Sequence, residues 1–382
     1  MTEPVTSKLH RFIPYRKQDL VERCLRDVAL SGQEVEFRRL SEMLAGVFHF
    51  EFHRVIEALK ARYAAIDPDA DTLMLDPPVA AVSDEQRDTP VFAELLGELL
   101  EKANYEQITA ADLNAALCEA SLFKIRLQVT FDDFAEVLLF CRGAALRRET
   151  VPRWWGLGSR TLEFMNYERV VVYLRFRDDY VAGKQQLPDC RAGATLLKLF
   201  KNVPKADLEM LFPNTQVRMR TLDKLLIGIP AMVSGGIVLT TKLGTALVLL
   251  GSLFGFWLGL SQQPVALDKA ALLALLAGGG ALGGYVWKQF NSFKNRKLKF
   301  MQMLTQNLYF KNLDNNAGVF HRLADEAEEE ECKEALLAYY CLLCSPAPLS
   351  RSALDTVVEA RLAQWGPCDV DFEIDDALDK LQ

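Results

Sequence analysis

The sequence lacks the marks of the common targeting and catalytic classes. Its first residues, MTEPVTSKLHRF, contain no apolar core, so we expect neither a signal peptide nor a transit peptide of the usual kind. No glycine-rich phosphate loop, Ser-His-Asp order or kinase-type motif set is visible. An excess of positive charge is also lacking. The formal net charge of −7 argues against a nucleic-acid-binding protein.

Charged residues are nearly absent from one long stretch, Leu225 to Trp287. A helix that spans a membrane needs about 20 mainly apolar residues. The stretch offers two segments close to that length, 243–260 and 270–287, which are joined by a short external loop at 261–269. We interpret 225–242 as an interfacial or re-entrant lead-in. The pattern therefore predicts a transmembrane helical hairpin.

Basic residues flank this hairpin on both sides. Because short cytoplasmic loops carry the excess of Lys and Arg, the flanks place both termini in the cytoplasm. The sequence thus predicts a multi-pass protein of the cell inner membrane, in contact with the lipid bilayer. The charges that set this topology are Arg218, Arg220, Lys224, Lys288, Lys294, Arg296, Lys297 and Lys299.

Glycines recur at every fourth position in both predicted spans. In lipid, this spacing lets helix backbones approach closely. The glycines could pack the two helices of one hairpin, or they could join copies of the chain. Both readings stay open, and a homo-oligomer is the assembly we expect. The glycines concerned are Gly251, Gly255, Gly259, Gly279, Gly280, Gly283 and Gly284.

The region 1–120 shows helical periodicity, with a long helix predicted from Ser41 to about Ala65. The apolar stripe of this helix includes Leu44, Val47 and Phe48 among others, and we expect it to face the core.

The region 121–224 is predicted to be α+β. Alternating apolar and polar residues indicate strands at Phe123–Val129 and Val170–Arg177, and a third at Thr195–Phe200. A helix is predicted from Thr130 to about Arg142.

Beyond the hairpin, the region 288–345 is predicted to form basic and then acidic cytoplasmic helices. The acidic run from Asp325 to Glu331 is expected to be a solvated face. The region 346–382 is predicted to be a winged-helix-like module, whose acidic residues favour a protein partner over nucleic acid. The predicted fold class is therefore a mainly α membrane protein. It combines a two-helix transmembrane hairpin, cytoplasmic helical and α+β domains and this C-terminal module.

One constellation could hold a metal ion. His49 and His53 are four residues apart with Glu51 between them, so on a helix both imidazoles share a face and need only a third ligand. The spacing is not HExxH, and we favour a hydrogen-bonded structural pair. No metal is favoured, no cofactor is predicted, and no catalytic residue is assigned.

Two further clusters allow alternative readings. Arg153, Trp154 and Trp155 have the composition of a surface that rests on anionic lipid headgroups, although burial of the tryptophans in a core is the simpler reading. Cys341 and Cys344 form a single CxxC inside an apolar segment, for which we expect buried thiols.

Five segments carry a resemblance to a known family, namely RFIPYRK (11–17), FHFEFH (48–53), DPDADT (67–72), KLFKNVPKADLEMLFPNTQVRM (198–219) and LTQNLYFKNLDNNAGVFHRLADEAEEEE (304–331). They resemble the transmembrane protein 143 family. The resemblance spans most of the chain and implies a two-span membrane protein. It supplies no activity, because the family has no established catalytic or binding residues.

Two function classes follow. The favoured one is a non-enzymatic, oligomeric scaffold or interaction protein with large cytoplasmic domains. The alternative is a membrane-associated enzyme, or a metal-dependent site built around His49, Glu51 and His53, that acts on lipid or a small molecule.

Overall fold

The computed structural model divides the chain into two units. It describes residues 10–69, 89–109, 111–113, 126–152, 159–181, 190–218, 308–366 and 369–381, together with individual positions between 251 and 306. The first unit comprises Met1–Leu122, Val129–Thr215 and Phe310–Gln382, and the second comprises Phe123–Gln128 and Gln216–Tyr309.

Six α-helices of the first unit have described bounds. They are α1 (Lys17–Leu25), α2 (Glu34–Tyr63), α3 (Thr89–Lys102), α4 (Ala317–Leu343), α5 (Arg351–Trp365) and α6 (Ile374–Asp379). Local sequence explains where α5 begins, because the Ser350 side chain accepts a hydrogen bond from the Ala353 N–H and so satisfies a free donor of the first turn.

The strands are β1 (Glu106–Gln107), β2 (Arg126–Gln128), β3 (Phe134–Pro152), β4 (Ser159–Phe176), β5 (Thr195–Pro204), β6 (Gln216–Arg218) and β7 (Asn312–Asn315). Five of them form one antiparallel sheet in the order β1-β3-β4-β5-β7. β2 and β6 form a separate antiparallel pair in the second unit. The long β3–β4 hairpin runs in register from Phe134 opposite Phe176 to Pro152 opposite Ser159, with an irregularity near Glu136.

Two hydrophobic cores hold the first unit together. The first core lies where α2, α3 and α4 pack against the sheet, and it includes Phe92 of α3, Tyr173 of β4 and Phe320 of α4. The second core joins α1, α5 and α6 to the C-terminal half of α4, and Leu336 and Leu362 are among its fully buried residues. Helix α4 contributes to both cores and is therefore the central helix of this unit.

The predicted fold class is wrong. The described residues contain a five-stranded antiparallel sheet covered by helices, which is an α+β arrangement and not a mainly α one. The C-terminal helices share a core with α1 and do not form a winged-helix-like module of their own. Among the described residues, no helix has both the length and the apolar character needed to cross a membrane.

The predicted localisation, an inner-membrane protein with both termini cytoplasmic, is overturned by the same finding. Low charge is necessary for a membrane-spanning helix, but an uninterrupted helix of about 20 residues is needed as well. The helical residues described up to Trp257 end in a turn at Leu258–Gly259, where Gly259 has a φ of 74°. Most of 243–260 and 270–287 lies outside the described residues.

Individual elements were predicted with mixed success. The strands expected at Val170–Arg177 and Thr195–Phe200 are confirmed within β4 and β5. The prediction of a helix from Thr130 to about Arg142 is wrong, because a short 3-10 turn at Phe131–Asp133 leads directly into β3. The prediction that the acidic run forms a solvated face is wrong as well, since Glu330 and Glu331 of α4 are buried.

Candidate interaction surface on helix α2

The solvent side of α2 carries a row of apolar side chains. Met43, Val47 and Phe50 are 61%, 64% and 71% exposed, and Leu40 beside them is half-buried. They are spaced three or four residues apart, so they lie along one face of the helix. We call these four residues the outer stripe. Contiguous exposed apolar surface on a folded protein marks a site of interaction.

A second face of α2 anchors the helix. Phe48, Phe52 and Tyr63 are buried in the first core, and Phe37 is buried in the second. The aromatic ring of Tyr63 lies 5.1 Å from that of Phe92 on α3 and 5.5 Å from that of Phe320 on α4. The outer stripe therefore sits on a helix that two cores hold in place.

Sequence reasoning missed this surface because it assigned Val47 to the buried stripe. The sequence does contain the signal. Apolar residues follow helical spacing on two faces of α2, and one core can cover only one of them.

Charged residues of opposite sign stand at the two ends of the outer stripe. Glu36 precedes Leu40 by four residues and Arg54 follows Phe50 by four residues, and both are exposed. Neither forms an ion pair with another described residue. At 1.5 Å per residue, the two charges are about 27 Å apart along the helix.

The three candidate metal ligands lie on α2, where His53 is exposed and His49 and Glu51 have partners on two different helices. The Nδ1 atom of His49 lies 3.1 Å from a carboxylate oxygen of Glu328 on α4. The carboxylate of Glu51 forms a 3.0 Å ion pair with Lys102 on α3. Within the described residues, no group of three or more His, Cys, Asp or Glu side chains is arranged to hold a metal ion.

A shallow groove of about 290 Å³ runs beside Glu51. It is lined by Glu51, Arg54, Val55 and Ala58 of α2 and by Leu95, Glu98, Leu99 and Lys102 of α3. Its charged rim contains two acidic and two basic side chains, so no single charge sign favours a ligand. The groove borders the outer stripe at Arg54.

Glu326 of α4 is paired with two arginines of the sheet. Arg142 on β3 and Arg169 on β4 stand directly opposite each other. The Glu326 carboxylate forms ion pairs with them at 2.9 and 3.1 Å. The hydroxyl of Tyr105 donates a 2.8 Å hydrogen bond to the same carboxylate. The Arg142 guanidinium also lies 4.9 Å from the Tyr105 ring centre, within cation–π range.

A second buried charge cluster lies one to two turns further along α4. The Lys380 ammonium forms ion pairs with Glu331 and with Glu334, the latter at 3.0 Å. Asn104 donates a 2.9 Å hydrogen bond to Glu334. Burial raises the pKa of Glu331 to about 7, and it raises the pKa of Glu334 above the usual range. Burial acts to lower the pKa of Lys380, but the neighbouring carboxylates more than offset this and raise it.

A different buried pair fixes the N-terminal segment. The backbone N–H of Ile13 donates a 2.9 Å hydrogen bond to Glu330, and the Lys333 ammonium donates a 2.8 Å hydrogen bond to the Ile13 carbonyl. Glu330 and Lys333 pair with each other at 2.6 Å. Each charge in this group therefore has a partner.

The expectation of buried thiols in the CxxC segment is confirmed for Cys341 and is wrong for Cys344. Cys341 is buried and Cys344 is half-buried, and both are free thiols. Burial raises the pKa of Cys341 to about 12, so it is a neutral thiol at neutral pH and a weak nucleophile.

The roles of the other residues named from the sequence stay predictions. Among the described residues, and apart from adjoining backbone, no atom lies within 4 Å of the place that a Cβ would occupy at Gly251, Gly255, Gly259, Gly280, Gly283 or Gly284. Arg218 lies in β6, and Lys288 and Lys294 are helical. Those outside the described residues are Gly279, Arg220, Lys224, Arg296, Lys297, Lys299, Arg153, Trp154 and Trp155.

A comparison with protein families gives a match to part of the chain. The family model described as a protein of unknown function (DUF3754) matches residues 167–318, less than half of the chain. The match begins in β4 and ends at the start of α4. It supports a domain of an uncharacterised family, and it does not confirm the resemblance to the transmembrane protein 143 family. No solved structure matches the chain.

Proposed function

We propose that the protein is a non-enzymatic scaffold that forms homo-oligomers through the outer face of α2. The observation that carries this proposal is the outer stripe of Leu40, Met43, Val47 and Phe50. Burying a Val or Phe side chain is favourable by about 1.5–3 kcal/mol, so covering several of them drives association. The anchoring of α2 in two cores supports the proposal further, because a rigid surface loses little conformational entropy on binding.

The test is the solution mass of the full chain with a charge placed in the stripe. We expect Val47→Glu to weaken self-association about tenfold or more, because a carboxylate would have to be desolvated in the contact. Sedimentation equilibrium over a range of protein concentrations measures the change.

Val28→Glu is the matched control. Val28 is also an exposed valine, at 86%, but it lies in a 3-10 turn outside α2. We expect the Val28→Glu variant to self-associate as strongly as the unaltered chain. A chain that is monomeric at all concentrations, or equal association for the two variants, would contradict the proposal.

A further inference from the structure

We infer that the outer stripe pairs with the same stripe of a second copy of this chain, with the two α2 helices antiparallel. The inference rests on the proposed function and adds the partner's orientation and register. Three features of α2 lead to it, namely the spacing of the stripe, the apolar pairs that one register creates, and the charges at the two ends.

The spacing of the stripe is that of two packed helices. From Glu36 to Arg54 the residues on this face follow one another at intervals of four, three, four, three and four, through Leu40, Met43, Val47 and Phe50. This alternation is the heptad pattern in which side chains at positions a and d fill holes on a partner helix. The face is therefore shaped for another helix with the same repeat.

One antiparallel register pairs every apolar residue of the stripe. In antiparallel packing a residue at position a of one helix faces a residue at position d of the other. Met43 then faces Val47 of the second copy, and Leu40 faces Phe50 of the second copy. Sliding the helices by one heptad in either direction breaks these pairs, because it sets Arg54 against Met43 or Glu36 against Val47.

The charges select the antiparallel orientation. In the same register Glu36 meets Arg54 of the second copy, and two-fold symmetry repeats this ion pair at the other end of the contact. A parallel pair in register would set Glu36 against Glu36 and Arg54 against Arg54, which is repulsive at both ends. Both charges are exposed and unpaired among the described residues, so each is available to a partner.

Charge exchange tests this arrangement. In an antiparallel pair, Glu36→Arg or Arg54→Glu turns two attractive contacts into two repulsive ones, so we expect each variant to weaken dimerisation about tenfold. The double variant Glu36→Arg/Arg54→Glu restores opposite charges at both ends, and its dimerisation should return to the level of the unaltered chain. Sedimentation equilibrium of the full chain at low salt measures all three.

The control is Glu42→Arg, which makes the same charge change at an exposed position of α2 outside the stripe. It should leave dimerisation unchanged, and circular dichroism should show every variant folded. Single variants without effect, or a double variant no better than the singles, would overturn the antiparallel register. If Val47→Glu still dissociates the protein, the proposed function survives that result. A chain that is monomeric throughout overturns both.

Discussion

Glu331 is a carboxylate that the fold keeps partly protonated near neutral pH. Two carboxylates, Glu331 and Glu334, share the single ammonium of Lys380 in a buried site, with Asp376 adding a third carboxylate at the exposed edge. Burial raises the pKa of Glu331 to about 7 from a usual value of 4.5. Between these two pH values the folded protein binds more protons than the unfolded chain. The free energy of unfolding therefore falls as pH rises through this window and levels off above it.

Replacing Glu331 by Gln should remove much of this pH dependence. Glu331→Gln cannot ionise, so we expect its free energy of unfolding to fall less between pH 5 and 7, by about 1–3 kcal/mol. Urea denaturation at several pH values measures the slope. The control Glu22→Gln alters an exposed glutamate that pairs with Arg38 and should keep the original slope. Equal slopes for the two variants would contradict a buried, proton-binding Glu331.

For single residues, the sequence shows which side chains are charged but does not reveal which of them are buried. A run from Asp325 to Glu331 normally indicates a solvated face. Glu330 has a local partner in Lys333, but the partners of Glu326 and Glu331 are Arg142, Arg169 and Lys380, which are far from the run in sequence. Their proximity is a consequence of the tertiary fold, so no local pattern reveals it.

Among the elements, α4 is joined to the sheet by Glu326. Arginines directly opposite each other on neighbouring strands repel, and Arg142 and Arg169 are tolerated because Glu326 pairs with both. The Tyr105 hydroxyl completes the site. The contact ties β3 and β4 to the helix that contributes to both cores.

Removing this carboxylate should destabilise the protein strongly. We expect Glu326→Ala to lower the free energy of unfolding by about 3–5 kcal/mol, because it leaves two poorly hydrated arginines without a counter-charge. Glu163→Ala, which breaks a half-exposed pair with Arg148, should cost less than about 1 kcal/mol. Thermal and urea unfolding measure the free energy of unfolding of both variants. Similar losses for both variants would show that the Glu326 cluster adds nothing beyond a surface pair.

Element prediction succeeded where the local pattern and the tertiary environment agree. Val170–Phe176 of β4 is rich in β-branched and aromatic residues and was identified as a strand. The start of β3 reads FAEVLLFCR (134–142), which contains good helix formers, and this composition favours the helix that the sequence predicts there. Pairing with β4 along the length of β3 overrides that preference.

On the scale of the whole molecule, distant segments meet within the first unit. The backbone of His10 exchanges hydrogen bonds with Asp369 and Asp371, and Lys333 binds the carbonyl of Ile13. Such long-range contacts carry no sequence signature. The stretch from Leu225 to Trp287 shows the opposite case. Its hydropathy clearly predicts a membrane hairpin, and the described helices do not support one.

The central claim is that two copies of this chain meet through antiparallel α2 helices, and a mixed cysteine cross-link tests it most directly. Full chains carrying Met43→Cys and Val47→Cys are made with tags of different mass, then oxidised mildly, separately and as a mixture. The account predicts a disulfide between the two chains in the mixture, because these positions face each other, and none from either variant alone. The unaltered chain, whose own cysteines remain, sets the background. A disulfide-linked dimer from Met43→Cys alone, or no linked product in the mixture, would contradict the account.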